Sequence, residues 1–349
     1  MDNLNQVEFV YRGAIENLSK IVGEEKAKKV LVFTGKKSFE SIKPQIVNEL
    51  RNCECVYYND FETNPKEEDV KRAISTINNK FDIIIAIGGG SVIDFAKAFR
   101  YYAKSTKKLV AIPTTCGTGS ESTQFAVIYI DGIKHSLDER SILPEYAIVD
   151  SQFVDNNPKY LKACTSMDAF CQGIESFWAV KSTELSREYA KQAIELCRDN
   201  IEEYVNSNNK NASDNMALAS HLAGKAINIS RTTASHALSY AITSKYGLPH
   251  GHAVALTIGE LFRINFEKAD SELKLLLSDL GNIISDDVES YFKDLFSKIN
   301  LKTTIENFDK EYIISGVNLD RLSNNPIKLS SADLMQILSG IEERVQCVI

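Results

Sequence analysis

Ala86-Ile87-Gly88-Gly89-Gly90-Ser91-Val92-Ile93-Asp94-Phe95-Ala96-Lys97 carries an apolar run through three glycines and a serine into a segment with helical spacing. The run that feeds it, Phe81-Asp82-Ile83-Ile84-Ile85-Ala86-Ile87, is short, apolar and β-branched, the pattern of a parallel strand buried on both faces. Glycines admit a ligand close to the backbone, and the N–H groups and dipole at the start of the following helix favour negative charge. The combination reads as a cradle for a diphosphate. A second strand-to-loop passage, Leu109-Val110-Ala111-Ile112-Pro113-Thr114-Thr115-Cys116-Gly117-Thr118-Gly119-Ser120-Glu121, is again rich in glycines and hydroxyls. Two such loops point to a dinucleotide, which has more than one group to hold.

Toward the N-terminus the same alternation continues. Lys29 to Thr34 reads as a strand ending at Gly35, Ser38 to Leu50 as a helix, Cys55 to Tyr58 as a strand and Lys66 to Asn79 as a helix. Strands alternating with helices imply right-handed crossovers and a parallel sheet. Beyond Val149-Asp150 the β-branched runs become scarce and amphipathic segments such as Leu185 to Val205 and Ala212 to Ile229 dominate. The expected fold is therefore an α/β Rossmann-like dinucleotide-binding domain over residues 1–155 and an all-α domain over 156–349. The Asp-, Asn- and Pro-rich stretch Asp150 to Pro158 marks the join.

Composition narrows the functional classes. With 40 basic and 47 acidic side chains the formal charge is −7, so no global positive field draws in nucleic acid or anionic membrane, and an anionic ligand has to be held locally. No apolar run approaches the roughly 20 residues that span a bilayer. Met1-Asp2-Asn3-Leu4-Asn5 lacks the charged and apolar regions of a signal peptide, and a cytoplasmic protein is expected. The seven cysteines form no CxxC pair, so Cys53 and Cys55 read as plain thiols. Ser330-Ser331-Ala332-Asp333 reads as a helix cap.

In the helical half, Asp168 and Gln172 are four residues apart on a helical segment and share a face. His236 follows, and His250 lies in the turn Gly247-Leu248-Pro249-His250-Gly251-His252. On a continuous helix, Lys225, Asn228, Thr232 and His236 would also share one face. Two cations, Lys225 and Arg231, with several hydroxyls on that segment would suit a doubly charged phosphonate or phosphate through charge-assisted hydrogen bonds.

The motifs GGGSxxDxAK and PTTxGTGSE, with Asn324-Asn325-Pro326 near the end, resemble the iron-containing (group III) alcohol dehydrogenase family, whose fold is shared with dehydroquinate synthase. The resemblance implies that Gly88, Gly89, Gly90, Ser91 and Asp94 hold the pyrophosphate of NAD or NADP. It implies that Thr114, Thr115, Thr118 and Ser120, with Lys134, serve the same cofactor. It further implies a divalent metal, Fe(II) or Zn(II), held by Asp168, His236 and His250. The fourth position departs from the family: Gln172 stands where histidine is usual, and an amide oxygen is a weaker, harder donor than imidazole. Such a metal polarises a carbonyl and stabilises the alkoxide that develops on hydride transfer.

His252 is expected to line the pocket or join a proton relay. Tyr240, where many relatives carry a second histidine, could relay a proton or serve as a half-buried aromatic. The catalytic set is thus His236, His250, His252 and Tyr240, and the substrate set Lys225, Asn228, Arg231 and Thr232.

The segments Ala163 to Asp168, Ala223 to Ser230 and Pro249 to Leu256 are similar to the phosphonoacetaldehyde reductase (2-hydroxyethylphosphonate dehydrogenase) branch of the family, which implies a small anionic aldehyde as substrate in phosphonate biosynthesis. Three alternatives remain: a dehydrogenase for another small alcohol, polyol or polyol phosphate, a lyase resembling dehydroquinate synthase, and a non-catalytic dinucleotide-binding protein, which the altered fourth ligand brings into view. After the strand ending at Thr34, Gly35 supplies no carboxylate against a ribose 2′-phosphate, and Lys36 or Lys37 could attract one, so NADP(H) is expected to be accepted. Edge strands of such domains often pair across a two-fold axis, and a homodimer is expected.

Overall fold

The computed structural model describes residues 6–36, 38–78 and 80–341. In chain order its strands are β1 (Val7–Val10), β2 (Lys29–Thr34), β3 (Glu54–Tyr58), β4 (Ile83–Gly88), β5 (Leu109–Pro113), β6 (Phe125–Ile130), β7 (Ile133–Asp138) and β8 (Tyr146–Val149). Six of them form a parallel sheet in the order β1-β8-β5-β4-β2-β3. The chain runs from β2 outward to β3 and then returns to the other side of β2 as β4. This reversal is the topological switch point at which open α/β sheets bind ligands, beyond the carboxyl ends of the strands. Thr34 pairs with Ile87, so Gly35 and the glycines after β4 leave the sheet side by side.

The strand sequences explain why the sheet is covered on both faces. Val30, Val32, Ile83, Ile85 and Ile87 enter one buried cluster, and the alternate residues Leu31, Phe33, Ile84 and Ala86 enter the other. A period-2 strand with no polar face needs a helical layer on each side. That layer includes α1 (Asn17–Glu24), α2 (Ser38–Glu49), α3 (Glu67–Thr76) and α4 (Gly90–Tyr102). β6 and β7 make a separate antiparallel hairpin whose turn, Asp131-Gly132, takes positive φ at both residues. Asp-Gly is a strong hairpin signal, yet the sequence reading passed over it.

The helices that follow are α5 (Lys159–Trp178), α6 (Glu184–Asn206), α7 (Lys210–Ser230), α8 (Ala234–Tyr246), α9 (His250–Lys268), α10 (Ser271–Ile284), α11 (Val288–Lys298), α12 (Lys310–Ser315), α13 (Leu319–Leu322) and α14 (Ser331–Ser339). The last begins with a Ser330–Asp333 capping box. No described helix is long and apolar enough to cross a membrane.

Two compact units result, one of residues up to Asn157 together with Ser213–Gly224, the other of Pro158–Ala212 and the chain from Lys225 on. The middle of α7 thus belongs with the sheet unit, which a single cut at 155/156 does not provide for. Three contacts account for it: Arg12 pairs with Asp214 at 2.8 Å, His221 lies between Glu8 and Glu121, and Gly119 meets Gly224 so closely that a Cβ on Gly119 would stand 2.4 Å from the Gly224 Cα.

Candidate metal centre and dinucleotide cradle

The cradle of the first unit is built by packing as much as by ligand demand. A Cβ on Gly88 would lie 2.4 Å from Val92, and one on Gly90 2.7 Å from Thr118, whereas one on Gly89 would make ordinary contact with Thr115 at 3.4 Å. Two glycines therefore let α4 and the second loop close onto β4, and Gly89 is the one the surrounding packing does not require. No side chain caps α4 at Gly89; the Val92 and Ile93 N–H groups bond back to the Gly89 carbonyl, and the helix start before them suits an anion. Thr114 presents a buried hydroxyl with no hydrogen-bond partner, the kind of group a bound ligand satisfies. Thr115, Thr118 and Ser91 are partly exposed on the same loops.

Asp94 and Ser120, expected at the cofactor, are bonded to each other. The Asp94 carboxylate accepts from the Ser120 hydroxyl and from the Val127 N–H at 2.9 Å, so its two oxygens tie α4 to the second loop and to β6. Burial pushes Asp94 above the usual carboxylate range, against the opposing charges of Lys97 and Lys134. Lys134 thus lies within electrostatic reach of this cluster, on β7. The fully buried Lys97, last residue of the GGGSxxDxAK motif, donates to the Ser120 carbonyl and hydroxyl, to Thr123 and to the Phe125 carbonyl. Burial lowers its ammonium to about 8. The sequence reading gave Lys97 no role. Lys36 is exposed beside Gly35, and Lys37 lies outside the described residues.

In the helical unit, α5 packs against α6 and α9 and carries Asp168, Gln172 and Glu175 at i, i+4 and i+7, all buried. Gly251 brings the start of α9 against this face: a Cβ there would lie 2.0 Å from the Cys164 carbonyl oxygen and 2.8 Å from the Asp168 Cβ. No other residue fits, and the close approach delivers its neighbour His250 to Asp168. Donor atoms of Asp168, His236 and His250 all lie within 4.8 Å of one another. Gln172 donates its amide to Asp168 Oδ1 at 3.2 Å. A half-turn about its last torsion would exchange that nitrogen for the oxygen a cation takes.

Glu175, absent from the sequence reading, orders the cluster. One of its oxygens accepts from the N–H groups of Thr233, Ser235 and His236 and from the Thr233 hydroxyl at 2.7 Å, which caps α8 from a residue 58 positions upstream of Thr233. The other receives His236 Nδ1–H. That bond leaves the lone pair on His236 Nε2, a buried atom that makes no hydrogen bond and stands 3.4 Å from Asp168 Oδ1. A lone pair so oriented, beside a carboxylate and a second imidazole, fits a divalent cation. Burial would raise both carboxylates, but His236 with His250 holds Asp168 below its ordinary range, and His236 does the same for Glu175. His236 in turn is raised, because the two carboxylates outweigh its burial. The i+7 spacing of Glu175 from Asp168 was the available signal for it.

Three expectations are corrected here. First, the helix does not run unbroken through Lys225, Asn228, Thr232 and His236. α7 ends at Ser230, Arg231 turns to φ 65°, and a new helix starts at Ala234 on the Glu175 cap. Second, Arg231 donates to the Ile227 and Asn228 carbonyls at the end of its own helix, and Lys225 lies 4.8 Å over the Tyr189 ring, so both expected substrate cations are engaged in the scaffold. Asn228 is buried on that last turn, while Thr232, also buried, accepts from Arg321 through its hydroxyl.

Third, His252 is held by Tyr160 at 3.0 Å on Nδ1 and by the Lys302 carbonyl at 2.7 Å on Nε2. Both ring nitrogens are thus engaged, and burial lowers its pKa. Tyr240 does reach the cluster, its ring 6.2 Å from that of His250. Burial raises its phenol despite the nearby Arg321, so it keeps its proton at neutral pH.

The chain thus joins an α/β unit with a glycine-rich cradle to a helical unit with a buried carboxylate–histidine cluster. Residues 8–151 match the family model described as iron-containing alcohol dehydrogenase, and residues 162–341 match the model of the Fe-containing alcohol dehydrogenase family, C-terminal. The chain belongs to the iron-containing alcohol dehydrogenase family. It is 32% identical over 213 residues to the phosphonoacetaldehyde reductase of Streptomyces viridochromogenes, a match spanning 53% of each chain and so about half of that relative's length. It is 29% identical to the NADPH-dependent butanol dehydrogenase of Clostridium saccharobutylicum over 75% of this chain and 73% of that one. Among solved structures, the sulfoacetaldehyde reductase of Bifidobacterium kashiwanohense in complex with NAD+ superposes with a TM-score of 0.87 at 25% identity, covering 95% of both chains.

Proposed function

We propose that this protein reduces a short aldehyde to its alcohol with NAD(P)H and a divalent metal, and that phosphonoacetaldehyde, giving 2-hydroxyethylphosphonate, is its substrate. The observation that carries the reading is the convergence of Asp168, His236 and His250 about the unpaired His236 Nε2. Two similar proteins bear the names of reductases of aldehydes with a strong anion on the neighbouring carbon, which supports the choice of substrate.

When bound, a divalent cation supplies Lewis acidity at the carbonyl and the nicotinamide supplies hydride. The chain's own residues do the rest. Asp168, His236 and His250, with the Gln172 oxygen after its half-turn, would hold the cation. Glu175 takes Nδ1 of His236 and so turns Nε2 toward the place the cation would occupy. Tyr240, whose ring lies 6.2 Å from that of His250, keeps its phenol proton and would be a donor to the alcohol oxygen as it forms. Gly89 and the uncapped start of α4 would receive the diphosphate of the cofactor.

The test is NAD(P)H consumption with phosphonoacetaldehyde, sulfoacetaldehyde, butyraldehyde and dihydroxyacetone phosphate, using metal-free protein and protein reloaded with Fe(II) or Zn(II). Stoichiometric oxidation that needs the metal supports the reading. Full activity without metal overturns it, and turnover of a phosphorylated substrate with no net loss of NAD(P)H would assign a lyase instead. In the same assay NADPH should serve at least as well as NADH, and Gly35→Asp should shift preference toward NADH by roughly tenfold through repulsion of the 2′-phosphate. The new Cβ would press on the Ser38 hydroxyl at 2.7 Å, which can rotate away. Tight use of NADH with no use of NADPH by the unaltered protein would refute the reading of this turn.

A further inference from the structure

Resting on the proposed reduction of an anionic aldehyde, we infer that Arg321, and neither Arg231 nor Lys225, receives the anionic group of the substrate. Arg321 lies on the one-turn helix α13, is partly buried, and donates from Nη1 to the Thr232 hydroxyl. Its guanidinium carbon stands 5.5 Å over the Tyr240 ring, and that ring is 6.2 Å from His250. One aromatic ring thus separates a cation from the candidate metal centre.

What singles out Arg321 is its nearness to the centre combined with its charge balance; Arg187, also partly buried, meets the Phe177 carbonyl and the Ser182 hydroxyl. The buried Arg100 and the partly buried Arg12, Arg198 and Arg263 each meet a carboxylate within 2.8 Å. Among the described residues no carboxylate lies within salt-bridge distance of Arg321, whose neighbours are the Thr232 hydroxyl and the ring and phenol of Tyr240. A partly desolvated guanidinium without a counterion is costly unless an anion completes it, and its planar fork matches phosphonate or sulfonate oxygens.

The surroundings hold it in place. Asn324, three residues on and buried, donates to the Ser230 and Thr232 carbonyls at 2.8 and 3.0 Å and accepts from the Lys181 N–H. The break between α7 and α8 and the turn bearing Arg321 are therefore clamped together. The same break that turns Arg231 back onto its own helix opens Thr232 toward Arg321.

The experiment compares Arg321→Ala, Arg321→Lys and Arg231→Ala in metal-loaded protein, with phosphonoacetaldehyde and butyraldehyde as substrates. Arg321→Ala should lower the ratio of kcat/KM for the anionic over the neutral aldehyde by roughly ten- to a hundredfold, mostly through KM. Arg321→Lys should restore part of that ratio, and Arg231→Ala should leave it within about threefold. An independent readout is calorimetric binding of methylphosphonate, which should weaken by a similar factor in Arg321→Ala alone. Equal losses on both aldehydes with unchanged methylphosphonate binding would overturn the inference, as would a selective loss in Arg231→Ala. If the unaltered protein turns over no aldehyde yet binds methylphosphonate through Arg321, the reductase reading fails while the anion site stands. If it reduces butyraldehyde but neither uses phosphonoacetaldehyde nor binds methylphosphonate, the anion site fails and the reductase reading stands.

Discussion

Two buried histidines in this molecule sit between carboxylates, His221 in the sheet unit and His236 in the helical unit. His221 has the Ser122 hydroxyl at 2.8 Å and Glu121 at 3.2 Å on Nδ1, with Glu8 at 3.4 Å from Nε2. His236 has Glu175 on Nδ1 and Asp168 at 3.4 Å from Nε2. The local electrostatics are nearly the same, and both imidazoles are raised above their ordinary value against the effect of burial. The difference lies in what else arrives. His250 and Gln172 converge on the His236–Asp168 gap, whereas the Glu8–His221–Glu121 group joins β1, the second loop and α7 and brings in no second imidazole. A histidine flanked by carboxylates is thus an ion pair by default, and becomes a candidate metal centre only where a further donor shares its point of convergence.

The largest expected effects test that distinction directly. His236→Ala or His250→Ala should abolish metal binding and cut kcat/KM by roughly a thousandfold, whereas His221→Gln should keep full metal content by elemental analysis. Metal loss from His221→Gln, or its retention in both alanine variants, would break the comparison.

Glu175→Gln comes next. It preserves shape but weakens the acceptor that orients His236, and metal affinity should fall by roughly ten- to a hundredfold in a chelator competition. An unchanged affinity would mean that Asp168 alone sets the tautomer.

Gln172→His should hold the metal at least as tightly as the unaltered protein, since imidazole is the better donor for late transition ions. Weaker binding in the same competition would place Gln172 outside the coordination sphere.

The smallest effect is on stability against pH. A histidine whose folded pKa is raised contributes fully below its unfolded value of about 6.5 and loses that contribution as pH rises through the folded value. The unaltered protein should therefore lose denaturation midpoint above about pH 6.5 relative to His221→Gln. Parallel midpoint curves for the two proteins would show that His221 is neutral between Glu8 and Glu121.

How much of this was legible depended on the distance over which each feature is encoded. The strands from β2 to β5, the glycine cradle and the placing of Asp168, His236 and His250 in one helical unit follow from patterns within a few residues of each other: period-2 apolar runs, glycines after strands, a carboxylate and an amide four apart. Family motifs extended that reading to the metal. Glu175 was readable at i+7 and was missed because its partners, the α8 N–H groups, are remote in sequence.

Other features had no local signal at all. The periodicity from Lys225 to His236 suits one helix, and the chain breaks there because a buried carboxylate from α5 supplies a better start for α8 than continuation would. Arg231 looked like a substrate residue because it precedes a ligand histidine, yet at φ 65° it bends back to its own helix end. Arg321 carried no mark in sequence and reaches Thr232 and Tyr240 through the Asn324 clamp. The sequence by itself determined the two kinds of architecture, since those rest on local periodicity, and family motifs pointed to Asp168, His236 and His250, which the fold brings together. Tertiary structure alone decided which charges face the centre and which serve the scaffold, because that depends on partners brought together across the fold.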